Sequence, residues 1–146
     1  MSDLHRLIYA SHSRLPVGSD VNRAVEDIVA VSQRNNARVG VTGLLLHHEN
    51  LFVQALEGPR ATVNEVYRRV EQDLRHDKLR LIDSTPANER LFGAWSMCAR
   101  TLRPGDARIL SIVGAEVLDI STLEAEATLN LLCAVAQMQD LFRRAA

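Results

Sequence analysis

The order of apolar segments along the chain is the sequence feature that most restricts its fold. Five segments carry the two-residue alternation or the short apolar runs typical of β-strands, at residues 4–11, 39–48, 51–57, 78–85 and 95–103. Apolar residues recur at helical spacing at residues 20–35 and 60–74. The resulting order, β-α-β-β-α-β plus one strand, is the ferredoxin-like pattern. We therefore expect an α+β fold in which two helices cover one face of a mixed sheet.

The C-terminal part of the sequence predicts two more helical stretches, near residues 105–115 and 121–143. Because the predicted strands are apolar on both sides, the sheet face opposite the two helices also needs cover. We expect the tail to pack on this face; the alternative is that it mediates assembly or binds a partner. The expected organisation is a core domain at residues 1–102 and a C-terminal helical extension at residues 103–146.

Length, charge and cysteine content exclude several classes of protein. The chain has 146 residues, enough for one domain with its own core, and a net charge of −1, which gives no chain-wide footprint for nucleic acid. The apolar runs are too short to span a membrane, and the N-terminus has no signal-peptide pattern. The two cysteines are far apart and form no CxxC pair. We therefore expect a cytoplasmic protein that binds neither membranes nor nucleic acid.

Three polar side chains do not fit a plain apolar core. Gln54 lies between Phe52 and Leu56 on one face of its predicted strand, so we expect its amide to be buried. Tyr9 lies on the apolar first strand, and Asn36 offers a second amide at a helix end. Buried amides and hydroxyls need hydrogen-bond partners. Each of the three could be a satisfied core group by itself, but all three could also converge on the central strands.

Motifs for common cofactor and catalytic chemistry are missing from the sequence. It contains no GxGxxG, GxxxxGKS/T, HExxH or GxSxG pattern. His47 and His48 are adjacent on a predicted strand, so they point to opposite faces and cannot bind one metal ion together. We therefore expect no metal site, and spacing alone predicts no catalytic set.

Four segments together resemble the BLUF family of blue-light sensors that use flavin. They are LIYAS at residues 7–11, SQRNNARVGVTGLLL at 32–46, FVQALEGPRATVNEVYRRV at 52–70 and FGAWSM at 92–97. Their order and spacing both agree with the family, and the resemblance extends over residues 4–100. The chain is most similar to the short, stand-alone members, which consist of one sensor domain and a helical tail.

The resemblance implies a role for each matched residue. Tyr9 corresponds to the family's photoactive tyrosine and Gln54 to its switching glutamine. The other matched positions are expected to contact the flavin or to transmit the signal: Asn36 by hydrogen bonds to the flavin ring, Ile28 and Val70 as aliphatic covers of the ring, Asn35, Arg75 and His76 at the ring edge or the ribityl and phosphate part, and Trp95 and Met97 in signal output. FAD is the implied cofactor, and FMN or riboflavin could occupy the same pocket.

The implied function is light sensing without substrate turnover. Excited flavin takes an electron and then a proton from Tyr9, and a rearranged hydrogen-bond network at Gln54 gives a red-shifted signalling state. The resemblance also implies a downstream effector protein in trans, and we expect a homo-oligomer. Two alternatives stay open: a flavin-dependent redox enzyme, and a cofactor-free interaction module of ferredoxin-like fold.

Overall fold

The computed structural model describes residues 3–15, 20–93, 97–102, 104–113 and 119–145. The main elements, in chain order, are β1 (Leu4–Ser13), α1 (Asp20–Val39), β2 (Thr42–His48), β3 (Leu51–Pro59), α2 (Arg60–Glu71), β4 (His76–Pro86), β5 (Cys98–Thr101) and α3 (Ala125–Ala145). Two 3₁₀ segments, Pro104–Val113 and Ile120–Thr122, lie between β5 and α3. The predicted element order and the α+β fold class are confirmed.

The five strands form one mixed sheet in the order β4-β1-β3-β2-β5. β1 pairs antiparallel with both β3 and β4, β2 pairs antiparallel with β3, and β5 pairs parallel with β2. This register places Gln54 of β3 directly between Tyr9 of β1 and Leu45 of β2. Gln54 therefore occupies the middle of the sheet.

The predicted boundary between α1 and β2 was wrong by several residues. The helix continues through the asparagine pair and ends at Val39 instead of residue 35, so β2 begins at Thr42 instead of residue 39. Gly40 has a φ of 74°, the left-handed conformation in which glycine commonly terminates helices. The asparagine pair is thus an interior part of α1, and this brings Asn36 onto a helix that packs against the sheet.

Other element boundaries also differ from the prediction, by one to four residues. α2 ends at Glu71 instead of residue 74, and β4 extends over His76–Pro86 instead of 78–85. β5 covers Cys98–Thr101 and ends before the predicted residue 103, whereas the predicted strand residues 95 and 96 lie outside the described residues. In the tail, the helical stretch predicted near 105–115 is a 3₁₀ helix over Pro104–Val113, and residues 114 and 115 lie outside the described residues. α3 begins at Ala125 instead of residue 121.

Each face of the sheet is covered by a different part of the chain. On one face, Leu7, Tyr9 and Phe52 pack with Val25 of α1 and Val63 of α2. We call this the groove face. On the other face, the strand residues Ile8, Ala10, Leu44 and Leu46 pack with the tail residues Leu110, Leu131, Leu132 and Val135. We call this the tail face.

The tail residues at this second interface are deeply buried. Leu131, Leu132 and Val135 have no exposed surface, and full burial of such a side chain contributes about 1.5–3 kcal/mol. The tail therefore shares one apolar core with the sheet. Among the described parts of the chain, no helix is both long enough and apolar enough to cross a membrane.

Candidate functional site

A groove opens between α1, α2 and the groove face of the sheet. It encloses about 550 Å3 of space, part of which is open to solvent. The residues that line it are Tyr9, Ile28, Ser32, Asn36, Leu45, Phe52, Gln54, Leu56, Val66, Val70, Asp73, Arg75 and His76. Most of its walls are aliphatic, while its floor and one end are polar.

Tyr9 and Gln54 form the floor of this groove. Both side chains are almost fully buried, and the Tyr9 hydroxyl donates a hydrogen bond to Oε1 of Gln54. The two residues are paired across β1 and β3 in register, so the strand geometry itself brings the phenol to the amide. The interpretation that these two polar groups lie together on central strands therefore agrees with the structure.

The opposite end of the Gln54 amide contacts Met97. Nε2 of Gln54 donates a hydrogen bond to Sδ of Met97 at 3.3 Å. The carbonyl of Met97 accepts a bond from Nε2 of Gln33 on α1, at 2.9 Å. A thioether sulfur is a weak acceptor, so the Gln54–Met97 bond can be exchanged for a stronger one at little cost.

One wall of the groove is a single face of α1. Ile28, Ser32 and Asn36 are spaced four residues apart, which places them one above another on the helix surface. Asn36 is buried, and its backbone carbonyl accepts a bond from the amide of Val41 at 3.0 Å. This wall therefore offers an aliphatic side chain, a hydroxyl and an amide in a row.

The opposite wall belongs to α2 and the turn that follows it. Val66 and Val70 are four residues apart and contribute the aliphatic part. His76 joins this wall to β1, because its Nδ1 is 2.7 Å from Oγ of Ser11 and its Nε2 is 2.5 Å from the carbonyl oxygen of Val70. The sheet and α2 are thereby held at a fixed separation across the groove.

An ion pair closes the polar end. Nε of Arg75 donates to Oδ1 of Asp73 at 2.9 Å, and its terminal nitrogen donates to Oδ2 at 2.5 Å. The hydrogen bonds from Arg75 lower the pKa of Asp73, and those bonds raise the pKa of Arg75 in turn. The end of the groove therefore carries a cation that is partly neutralised by its neighbour.

The surroundings of Tyr9 keep its phenol protonated. Burial raises the pKa of Tyr9 far above its usual value of about 10, and the nearby Tyr67 and Asp73 raise it further. The ring of Tyr67 lies 5.7 Å from that of Tyr9, between centroids. Burial also raises the pKa of Tyr67, to about 12. Tyr9 is therefore a neutral hydrogen-bond donor across the physiological pH range.

The structure brings most of the residues singled out from the sequence to one place. Seven of them line the groove: Tyr9, Ile28, Asn36, Gln54, Val70, Arg75 and His76. Asn35 is exposed and is not part of the groove lining. Met97 contacts Gln54 from the side, whereas Trp95 lies outside the described residues. The roles assigned to all of these residues stay predictions.

Sequence reasoning missed several residues of the groove. Ser32 could have been found from its helical spacing to Ile28 and Asn36. Val66 could have been found in the same way from Val70. Asp73 had no such signal, because its place depends on the turn after α2 rather than on a periodic pattern.

The groove fits a flat heteroaromatic ring such as flavin. Aliphatic side chains of α1 and α2 line opposite walls, and amides of Asn36 and Gln54 can both donate and accept hydrogen bonds at the inner edge. Mostly apolar walls with a few placed polar groups are typical of cofactor sites. Among the residues that the structure describes, no cluster of His, Cys, Asp or Glu side chains could hold a metal ion.

A ferredoxin-like domain with such a groove, and with a tyrosine–glutamine pair at its floor, is a small cofactor-binding domain. The chain belongs to the BLUF family, sensors of blue light using FAD, and it matches the family over residues 4–98. The match includes β1 to β4 and both helices of the groove. The cofactor of this family is therefore a flavin, and the family description names FAD as its form.

Curated relatives carry this domain within much longer chains. The chain is 34% identical to photoactivated adenylate cyclase subunit beta of Euglena gracilis over 99 residues, which are 67% of this chain and 11% of that protein. It is 38% identical to the blue light- and temperature-regulated antirepressor BluF of Escherichia coli (strain K12) over 96 residues, 64% of this chain and 23% of that protein. The chain thus spans less than a quarter of the length of these relatives.

Solved structures of similar length share the whole fold. The dark-state structure of BlrB, a BLUF protein, is 33% identical with a TM-score of 0.72, and the match covers 92% of this chain and 98% of that one. The ground state of BlsA has a TM-score of 0.77 at 24% identity, covering 89% of this chain and 87% of that one, a likeness of fold alone. The match to BlrB extends beyond the family region into the C-terminal tail.

Proposed function

We propose that this protein is a blue-light photoreceptor in which Tyr9 and Gln54 carry out the light-driven step. The observation that carries the proposal is the hydrogen bond from the Tyr9 hydroxyl to Oε1 of Gln54 at the floor of the groove. It joins an oxidisable phenol to an amide whose two ends have opposite hydrogen-bonding character. Such a pair can change its bonding without consuming a substrate.

In this proposal the groove residues hold the flavin in fixed roles. Ile28 and Val70 cover the two sides of the ring and exclude water, which strengthens the hydrogen bonds inside. Asn36 and Gln54 bind its polar edge. Arg75 and His76 at the polar end meet the ribityl or phosphate part, and Asn35 is assigned to the outer edge.

The chain's own contribution to the chemistry begins at Tyr9. When bound, flavin supplies a blue absorption band and, once excited, a strong one-electron oxidant. Tyr9 is the buried phenol of the groove floor, and it would be the residue that supplies the electron to such an oxidant. Its proton is already engaged in a bond to Oε1 of Gln54, so it can leave along that bond. Once both have returned to Tyr9, no net oxidation of the protein remains.

After this transfer and return, the hydrogen bonds of Gln54 differ from those before light. Its oxygen and nitrogen ends are nearly equal in size, so a change of bonding at this amide has little steric cost. In the structure, Gln54 is bound to Tyr9 at one end and to Met97 at the other. A change at Gln54 therefore weakens its bond to Met97 and biases the segment that leads into β5.

Signal output is proposed to run through that segment and the tail to an effector protein in trans. Trp95 and Met97 are the output residues in this proposal. Residues 1–102 would act as the sensor domain and residues 103–146 as the extension that contacts either an effector or a second copy of the chain. The names of relatives include an antirepressor and a cyclase.

The location that we propose is the cytoplasm, where the two separated cysteines stay reduced.

The proposal is tested by replacing Gln54 in the flavin-loaded protein. We expect Gln54→Leu to keep flavin bound but to lose the red-shifted state after blue light, because leucine has no amide to rearrange. Gln137→Leu, a matched change at an exposed position of α3, should keep a normal shift. A normal, reversible shift in Gln54→Leu would overturn the assignment of Gln54.

A further inference from the structure

A buried carboxylate on β3 forms hydrogen bonds with the backbone of residues 91 and 92, which follow β4. Glu57 has no exposed surface. Its Oε1 accepts a hydrogen bond from the amide of Phe92 at 2.7 Å, and its Oε2 accepts one from the amide of Leu91 at 2.9 Å. Oε2 also accepts from Nε of Arg6 at 2.8 Å, which pairs the charge. Both oxygens of this carboxylate are therefore engaged, as a buried charge requires.

Two arginines add further bonds to the same stretch of chain. A terminal nitrogen of Arg6 donates to the carbonyl of Glu89 at 2.9 Å. Arg90 donates to Oγ1 of Thr42 at 2.8 Å and to the carbonyl of Gly40 at 2.7 Å. We call residues 89–92 with these bonds the Glu57 anchor. It is fixed to β1, to β3 and to the turn between α1 and β2.

The anchor lies on the tail face, whereas Gln54 lies on the groove face. Glu57 is three residues after Gln54 on a regular strand, so the two side chains point to opposite faces. Phe92 is part of the apolar core on the tail face, and Met97 is part of the core on the groove face. Phe92 and Met97 therefore lie on opposite faces of the sheet, and each is hydrogen-bonded to a residue of β3.

We propose that Glu57 is a positioning residue of the photocycle: by fixing Leu91 and Phe92, it returns Met97 to Gln54 and so sets the rate of dark recovery. The inference rests on the proposed function. Met97 is five residues from Phe92 on one side and directly precedes β5, which pairs with β2, on the other, so the anchor and β5 together keep it close to Gln54. A short tether of this kind raises the effective concentration of the tethered group. Loosening the anchor lowers that concentration and slows the return.

The test compares two carboxylate replacements in the flavin-loaded full chain. Glu57→Gln keeps the shape of the side chain but removes the negative charge that accepts hydrogen bonds from Arg6 and from the two backbone amides. We expect its dark recovery to slow by about threefold or more. Its dark absorption band should be unchanged, since Glu57 does not touch Tyr9 or Gln54. Glu65→Gln makes the same chemical change at an exposed site of α2 and should recover at the wild-type rate.

A second variant and a second readout separate positioning from folding. Glu57→Asp keeps the charge, but its side chain is one methylene shorter and places the carboxylate farther from the two amides. It should therefore slow dark recovery as well. Amide hydrogen exchange at Leu91 and Phe92 should become faster in both variants in the dark. In the wild-type protein these two amides should stay protected both in the dark and during illumination, because the anchor holds while Met97 moves.

Two results would overturn the inference. One is wild-type dark recovery in a variant whose Leu91 and Phe92 amides exchange faster. The other is loss of protection at these amides in the illuminated wild-type protein. If the wild-type chain shows no reversible red shift at all, the proposed function fails, while the exchange measurement still reports whether Glu57 holds the segment.

Discussion

Tyr9 and Gln54 are opposite each other in the register of β1 and β3, and the hydroxyl of one donates a hydrogen bond to the amide oxygen of the other. The bond is buried at the floor of the groove, where Gln54 also reaches Met97 with its amide nitrogen. A change in bonding at this one amide therefore affects both of its hydrogen-bond partners, the phenol on β1 and the methionine that precedes β5.

The first prediction concerns the electron donor. Tyr9→Phe should lengthen the fluorescence lifetime of bound flavin severalfold and abolish the red-shifted state, because the oxidisable phenol next to Gln54 is gone. The measurement is time-resolved fluorescence of the purified, flavin-loaded variant. Tyr67→Phe is the matched control, since Tyr67 is another tyrosine with its ring 5.7 Å from that of Tyr9. Equal lifetimes in the two variants would contradict the role of Tyr9.

The second prediction concerns flavin binding by α1. Asn36→Ala should weaken flavin binding by about tenfold, the loss expected when one net hydrogen bond of about 1.4 kcal/mol is removed. Asn35→Ala changes the neighbouring asparagine, which is exposed and outside the groove lining, so its effect should be smaller. Titration of the flavin-free protein with riboflavin measures both. A larger loss at Asn35 than at Asn36 would show that the wrong amide has been assigned.

The third prediction is a pH dependence of stability. Burial of His47 lowers its pKa, and the neighbouring His48 lowers it further. Between that lowered value and about 6.5, the unfolded chain binds a proton at this residue that the folded chain does not. The free energy of unfolding should therefore decrease as the pH falls below about 6.5. Urea unfolding at pH 7 and pH 5 measures this decrease.

Replacing His47 should reduce the pH dependence. His47→Phe and His47→Leu differ in size, and each removes the titrating group beside Phe52, whose ring lies 5.0 Å from that of His47. A smaller loss of stability on acidification in both variants would trace the effect to titration rather than packing. An unchanged loss in both would show that other groups cause the wild-type behaviour.

Alternation along the strands was sufficient to predict the burial of Gln54. The pattern of Phe52, Gln54 and Leu56 predicted a buried amide, and Gln54 is almost fully buried in the structure. In β1 likewise, Leu7 and Tyr9 lie on one face, and Ile8 and Ala10 lie on the other. These predictions succeed because side chains of a strand alternate strictly between faces.

Contacts between distant segments could not be predicted in this way. The bonds of Glu57 to Leu91 and Phe92 join residues that are 34 and 35 positions apart, and nothing periodic links them. The end of α1 was missed for a different reason. Asparagines are common at helix ends, but Gly40 was the residue that could adopt the left-handed conformation needed to stop the helix.

The most direct test of the central claim is a light-minus-dark absorption measurement on the FAD-loaded protein. The spectrum is recorded in the dark, after blue light, and again during a return to darkness. The hydrogen-bond rearrangement at Gln54 predicts a small red shift of the flavin band that reverses completely in the dark. Bleaching of the band, which indicates flavin reduction, or a spectrum that light does not alter would contradict the account.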